Sequence, residues 1–423
     1  MKISELYNLI NNRQISTDTR NIKANSVFFA LKGDSFNGNT FAEQALNNGA
    51  DYAIIDEKEY LQNEKCILVD DVLKTLQDLA NYHRKQFKIP VIAITGTNGK
   101  TTTKELTNIV LSKKFKTIAT EGNLNNHIGV PLTLLNIKSE TEIAIIEIGA
   151  NHPNEIAFLC EIAEPEFGII TNIGKAHLEG FGSYEGVIKT KNELYQYIKK
   201  KGNLAFVNED DLLLNNLSKD INRQLYKTIS NKVISIDSNQ PFLNLKYANS
   251  IINTKIAGKY NFDNIIAAYT IGKYFGVSDN EIASALEEYT PKNNRSQITN
   301  TAKNAIIMDA YNANPSSMNA AFENFLTINH SKKIAILGDM FELGNDSIDE
   351  HKAVIEKFIS DTSTHTFFIG KDFLKASTDF TTCSAFEDIS SFRNYIVENP
   401  ILDSLILLKG SRGMKMEQLL EIL

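Results

Sequence analysis

Ile92 to Glu105 reads Ile-Ala-Ile-Thr-Gly-Thr-Asn-Gly-Lys-Thr-Thr-Thr-Lys-Glu, and this stretch decides the fold. An apolar run long enough for one β-strand ends in a glycine-rich turn, then Lys-Thr-Thr, then a helix-forming segment. Glycines allow backbone N–H groups to close on phosphate oxygens, and a helix N-terminus adds positive potential at the same point. Gly96, Thr97, Asn98, Gly99, Lys100, Thr101 and Thr102 are therefore the expected phosphate cradle. Lys100 would neutralise the terminal phosphates and the Thr101 hydroxyl would ligate Mg²⁺. The spacing departs from G-x-x-x-x-G-K-[ST], because Ile94 stands where the first glycine belongs. An ordinary strand–turn–helix would need neither the glycine pair nor the Lys-Thr that follows it. The reading is a nucleoside-triphosphate site.

Working outward, 423 residues are too many for one core and predict two or three domains. With 42% hydrophobic and 22% charged residues the composition is that of a globular protein. A net charge of −7 argues against general nucleic-acid binding, which needs a basic face. The segment MKISELYNLINNRQ turns polar too early for a signal peptide, and no apolar run approaches a membrane span. Cys66, Cys160 and Cys383 are far apart, form no disulfide framework or zinc spacing, and suit a reducing cytoplasm.

Three blocks are expected, all α/β. Residues 1–88 hold short strand-like pieces (SVFFALKG, DYAIIDE, CILVDD) and an amphipathic helix from Val72 to Phe87. Residues 89–291 begin with the phosphate loop and alternate apolar strands (VIAIT, EIAIIEIG, FGIITNIG, NLAFVN) with helical stretches, the pattern of a doubly wound parallel sheet. Residues 292–423 repeat the alternation (NAIIMDAY, KIAILGD, HTFFIG, DSLILLKG) as a smaller, Rossmann-like unit.

Open α/β sheets bind ligands at the carboxyl ends of their strands, and chemistry-bearing residues gather there. Glu147 ends the strand in AIIEIGANH and is placed to hold a metal beside a triphosphate; a solvated strand-end acid is the bland alternative. His177, just past the strand in ITNIGKAHLEG, divides evenly between a metal or phosphate role and a structural one. Lys189 and Lys191 read as a solvated helix face. The loop GNLNNHIGVP is rich in amides that both donate and accept, suiting either a polar substrate or a plain turn. Arg295 and Asp309 fall near the start of the third block, and Gly-Ser-Arg-Gly after its last strand can form an anion-binding turn with Arg412.

Together these segments resemble the Mur ligases of peptidoglycan synthesis. The motifs run nearly the whole chain: STDTR, FFALKGDSFNG, GTNGKTTTKE, GNLNNHIGVPLTLL, EIGANHPNEI, TNIGKAHLEGFGS, NNRSQ, DAYNANP, LGDMFELG and LKGSRGMKME. The resemblance implies an ATP- and Mg²⁺-dependent ligase, and nothing in the sequence demands more than a cytoplasmic monomer. It would add D-alanyl-D-alanine to UDP-N-acetylmuramoyl-tripeptide through an acyl phosphate. It implies that Thr101 and Glu147 hold one Mg²⁺, that His177 and Lys191 serve a second, and that Lys100, Glu147, His177 and Lys191 are catalytic. Lys191 becomes a candidate for carbamylation, which needs a neutral amine. Asn261, Asn264, Arg295 and Asp309 would contact the nucleotide, although Gly258-Lys259-Tyr260-Asn261 departs from the family's usual G-x-H-N. Ser16, Thr17, Asp18, Thr19, Arg20, Lys32, Gly33 and Phe36 would grip the UDP-sugar. Asn125 and Asn126 would meet the muramoyl-peptide, and Asn312, Asn314, Lys409 and Arg412 the incoming dipeptide. Rival readings are a sister Mur ligase, a folylpolyglutamate synthase-like ligase, and a nucleotide-binding regulator that has lost catalysis.

Overall fold

The computed structural model describes residues 1–10, 13–227, 233–236, 242–247, 250–291, 295 and 297–423. Three parallel or mainly parallel sheets follow one another along the chain. The first has the order Gln14–Ser16, Ser26–Phe29, Ala50–Ile55, Cys66–Leu68, all parallel. A two-stranded hairpin, Lys32–Gly33 with Phe36–Asn37, stands beside it.

The helix Val72–Arg84 joins this sheet to the next. The Asp71 carboxylate caps it by accepting from the Lys74 N–H at 2.7 Å. Leu76 and Leu79 face the first sheet's core. The other side of the helix reaches the central unit: Gln77 donates to the His127 carbonyl, and buried Arg84 pairs with Glu166 at 2.6 Å. The helix ends at Arg84, three residues before the expected Phe87.

The central sheet has the order Asn222–Tyr226, Leu204–Asn208, Phe167–Ile170, Val91–Thr95, Ile143–Glu147, Thr117–Ala119, parallel throughout. Val91–Thr95 is buried on both faces, which is why it is a continuous apolar run rather than an alternating one. The chain leaves it toward one edge, returns alongside as Ile143–Glu147, and then crosses to its other flank as Phe167–Ile170. The phosphate loop thus sits at the topological switch point, where open sheets form their crevice.

One element was absent from the expected alternation. Val233–Ile236, Phe242–Tyr247 and Ser250–Ala257 form a small antiparallel sheet. Its inward residues, Leu243, Leu245, Ile252 and Ile256, join Leu106 and Val110 of the phosphate-loop helix in one core, while Ile251 points out. This half-buried, period-2 pattern belongs to an antiparallel layer with one wet face.

The last sheet has the order Gln297–Asn300, Ala305–Asp309, Leu405–Lys409, Lys333–Gly338, Thr364–Ile369, Ser384–Phe386. It is parallel except for Gln297–Asn300, which pairs antiparallel at the edge. The expected division at 291/292 falls at residues 292–294, outside the described residues.

Candidate active site

The phosphate loop and the helix Lys100–Leu111 open onto a cavity of about 840 Å³. Gly99 precedes the helix with φ +77° and no side chain caps the helix start. Its first-turn N–H groups therefore face the cavity unspent, which is the electrostatic setting an anion requires. Two glycines are obligatory here. A Cβ on Gly99 would lie 2.4 Å from Asn264 Oδ1, and one on Gly96 (φ +146°) 2.0 Å from Thr171 Oγ1. Neighbours brace the loop: Asn98 N–H donates to Asn172 Oδ1 at 3.0 Å, and Thr171 Oγ1 donates to the Asn98 carbonyl at 2.6 Å. Lys100 bends back along the loop, its Nζ donating to the carbonyls of Gly96 at 2.9 Å and Thr97 at 3.0 Å. Burial lowers its pKa, nearby Glu147 opposes the shift, and Arg295 adds to it.

Glu147 is 1% exposed at the end of its strand. Asn125 Nδ2 donates to its Oε1 at 2.7 Å, whereas Oε2 is buried with no partner among the described residues. A buried orphan oxygen on a carboxylate costs free energy unless something bound there uses it. Thr101, also buried, lines the same cavity. This hard-oxygen pair fits Mg²⁺, which takes few protein ligands and completes its shell from phosphate and water. Among the described residues no cluster of three His, Cys, Asp or Glu is placed to hold a metal by itself.

His177 lines the cavity with φ +51°, and its Nδ1 lies against the carboxylate of Glu342, in the loop after Lys333–Gly338. Lys191 lies outside the cavity lining at 2% exposure, with its Nζ 5.4 Å from the centre of the Phe181 ring. The expectation of a solvated face fails for it. Burial, and then the charge of Lys100, bring its pKa down to about 7, so a neutral amine is accessible. Lys189 shows no comparable burial.

Buried Asn261 and Asn264, both in the cavity lining, share a hydrogen bond at 2.9 Å. Thr103 Oγ1 donates to Asn264 Oδ1 at 3.0 Å and ties them to the phosphate-loop helix. Tyr260, the departure from the family pattern, lines the cavity and folds its ring against Gly258. From the last sheet, Arg295, Asp309, Asn312 and Lys409 line the cavity. Lys409 is 1% exposed and donates to Asp309 at 2.7 Å, so these two neutralise each other. Asn314 and Arg412 are not among the lining residues. Asn314 caps the helix Pro315–Thr327 and donates to Asn98 Oδ1 at 2.9 Å, stitching the last sheet to the phosphate loop. Asn126, in the lining, spends its Oδ1 on the N–H groups of Ile128 and Gly129.

The residues expected to grip the UDP-sugar lie outside this cavity: Ser16 ends the first strand, Thr17 to Arg20 follow it, and Lys32, Gly33 and Phe36 belong to the hairpin beside the first sheet. Asp18 and Arg20 form an exposed pair at 2.6 Å, and Lys32 bridges Asp56 at 2.9 Å and Glu57 at 2.8 Å. Sequence reading missed Asn172, Glu342 and Tyr311. Asn172 had a signal, being the residue after the strand in ITNIG; the other two act across long sequence separations.

Three family models cover the chain in order: the Mur ligase catalytic domain at residues 12–97, the Mur ligase middle domain at 94–272, and the Mur ligase glutamate ligase domain at 294–412. The UDP-N-acetylmuramoyl-tripeptide–D-alanyl-D-alanine ligase of Bacillus subtilis is 34% identical over 420 residues, covering 96% of this chain and 92% of that protein. The chain belongs to the Mur ligase family. Among Mur ligase structures, MurF from Acinetobacter baumannii superposes with a TM-score of 0.85 at 32% identity, covering 96% of this chain and 92% of that one. MurF from Thermotoga maritima in complex with ADP gives a TM-score of 0.84 at 26% identity, with 98% and 97% covered.

Proposed function

We propose that this chain is an ATP-dependent amide-bond ligase that joins D-alanyl-D-alanine to UDP-N-acetylmuramoyl-tripeptide, yielding the pentapeptide precursor of peptidoglycan. The observation that carries the reading is a single cavity uniting an uncapped phosphate-binding helix, the orphan Glu147 oxygen and residues from the last sheet. The full-length likeness to ligases of that name supplies the substrates.

A carboxylate resists amines because oxide is a poor leaving group. One carboxylate oxygen of the tripeptide attacks the γ-phosphorus of ATP, ADP departs, and an acyl phosphate forms. The dipeptide amine then attacks the acyl carbon, loses a proton, and expels phosphate, which carries away that carboxylate oxygen. The chain must offset the repulsion among triphosphate, carboxylate and developing charge. Gly96 to Thr102 and the helix start bind the phosphates, and Lys100 lies along the loop ready to turn its amine to them. Mg²⁺ held by Thr101 and Glu147, with His177 and a neutral or carbamylated Lys191 serving a second ion, would supply further positive charge and orient the phosphate oxygens. Asn261 and Asn264 bind the adenine side, Asn125 and Asn126 flank the muramoyl-peptide, and Asn312, Asn314, Lys409 and Arg412 shape the dipeptide site.

In this reading units 1–88, 89–291 and 292–423 each bring one substrate, the UDP-sugar resting on Ser16–Arg20, Lys32, Gly33 and Phe36. A working monomer in the cytoplasm, where ATP and UDP-linked precursors are found, goes with this reading. Among the described residues no helix is long and apolar enough to cross a membrane. The test is product mass: UDP-N-acetylmuramoyl-tripeptide, ATP and D-alanyl-D-alanine should yield the pentapeptide. No pentapeptide, together with a diamino-acid adduct when UDP-N-acetylmuramoyl-dipeptide and a diamino acid are supplied instead, would move the assignment to a sister ligase.

A further inference from the structure

The mechanism leaves one arrangement unused. Arg295 stands on the segment between the helix Asp279–Glu288 and the edge strand Gln297–Asn300, and its guanidinium carbon lies 3.7 Å from the centre of the Tyr311 ring. Tyr311 follows the end of the strand Ala305–Asp309, whose terminus the pairing of Asp309 with buried Lys409 fixes in place. Both Arg295 and Tyr311 line the cavity. Among the described residues Arg295 has no carboxylate partner, and its Nε is buried without an acceptor. Arg412, 5.7 Å from the same ring, has Glu417 at 3.7 Å to balance it. The ring is thus what the Arg295 cation rests on.

Resting on the function proposed above, we infer that Tyr311 is a positioning residue: its ring is a platform that holds Arg295 flat and presents the guanidinium edge to the nucleotide phosphates. Stacking on an aromatic face leaves the in-plane N–H donors free, and those are the groups that match phosphate oxygens. The distance of this cation from the phosphate loop is then set by the last sheet, through Tyr311, rather than by the connecting segment that carries Arg295. A lysine could not replace Arg295, having no plane to stack.

The test compares wild type, Tyr311→Phe, Tyr311→Leu, Arg295→Lys and the Tyr311→Leu/Arg295→Lys double variant by steady-state kinetics and by calorimetric binding of a non-hydrolysable ATP analogue. Tyr311→Phe keeps the ring and should stay within about twofold of wild type, whereas Tyr311→Leu should raise KM for ATP roughly 3- to 30-fold, the range a desolvated cation–π contact spans. The double variant should be no worse than Arg295→Lys alone. Thermal melting checks folding, and Tyr311→Met replaces Tyr311→Leu if that variant is unstable. A Phe variant as impaired as the Leu variant, a Leu variant equal to wild type, or additive losses would overturn the inference. Wild type that binds the analogue yet makes no pentapeptide would instead sink the function, while analogue binding would still rank the variants.

Discussion

Lys191 shows how burial makes one charged side chain costly to the fold. Its amine, ordinarily near 10.5, titrates at about 7 in the folded chain because burial penalises the charged form. Between those values the unfolded chain holds a proton that the folded chain has released, so stability rises with pH from about 7 toward 10. Below 7 the folded state carries the buried charge and the full penalty. Lys191→Met, which fills similar volume without charge, should therefore raise the melting temperature at pH 6.5 by at least ~2 °C, about 1 kcal/mol. The gain should shrink toward pH 10, and calorimetric melts across this range check it. The same variant should lose ligase activity. By spacing alone this lysine was indistinguishable from its exposed neighbours, because burial of a helix face depends on what packs against it; only the family resemblance singled it out. Glu147 was readable, since its place at the end of an apolar strand puts it at the ligand-binding edge.

The phosphate loop was readable for the same kind of reason. Local rules all agree there: apolar strand, glycines where φ is positive, then a helix start. Gly96 is the position where this agreement is tightest, because any side chain would run into Thr171, which itself holds the Asn98 carbonyl. Gly96→Ala should cost about 2–3 kcal/mol through backbone strain and overpacking, and should raise KM for ATP. Chemical denaturation and ATP titration measure the two effects. The small antiparallel sheet was not readable, because its short, half-polar strands lack the long apolar runs that flagged the parallel ones. Contacts between sheets were equally hidden. Asn98 with Asn314 and His177 with Glu342 pair residues far apart in the chain, and no spacing rule links them.

Across the whole molecule, the last sheet's unit meets the phosphate-loop unit through a shared apolar cluster and through polar contacts. Lys175 pairs with Glu350 at 2.6 Å, its N–H donates to Ser316 Oγ at 3.1 Å, and Glu342 pairs with His177. Half-exposed ion pairs contribute little to stability but fix the relation of two binding surfaces. Replacing Glu342 and Glu350 together by alanine should leave the melting temperature within ~2 °C and lower kcat/KM for the dipeptide about tenfold. Steady-state kinetics beside a melting curve separates these effects. The central claim concerns the carboxylate brought to this cavity, and the most direct measurement follows its oxygens. With UDP-N-acetylmuramoyl-tripeptide labelled by ¹⁸O in its terminal carboxylate, turnover with ATP and D-alanyl-D-alanine should move one labelled oxygen into each released phosphate. Unlabelled phosphate would mean that ATP is hydrolysed by water without carboxylate activation, and would contradict the account.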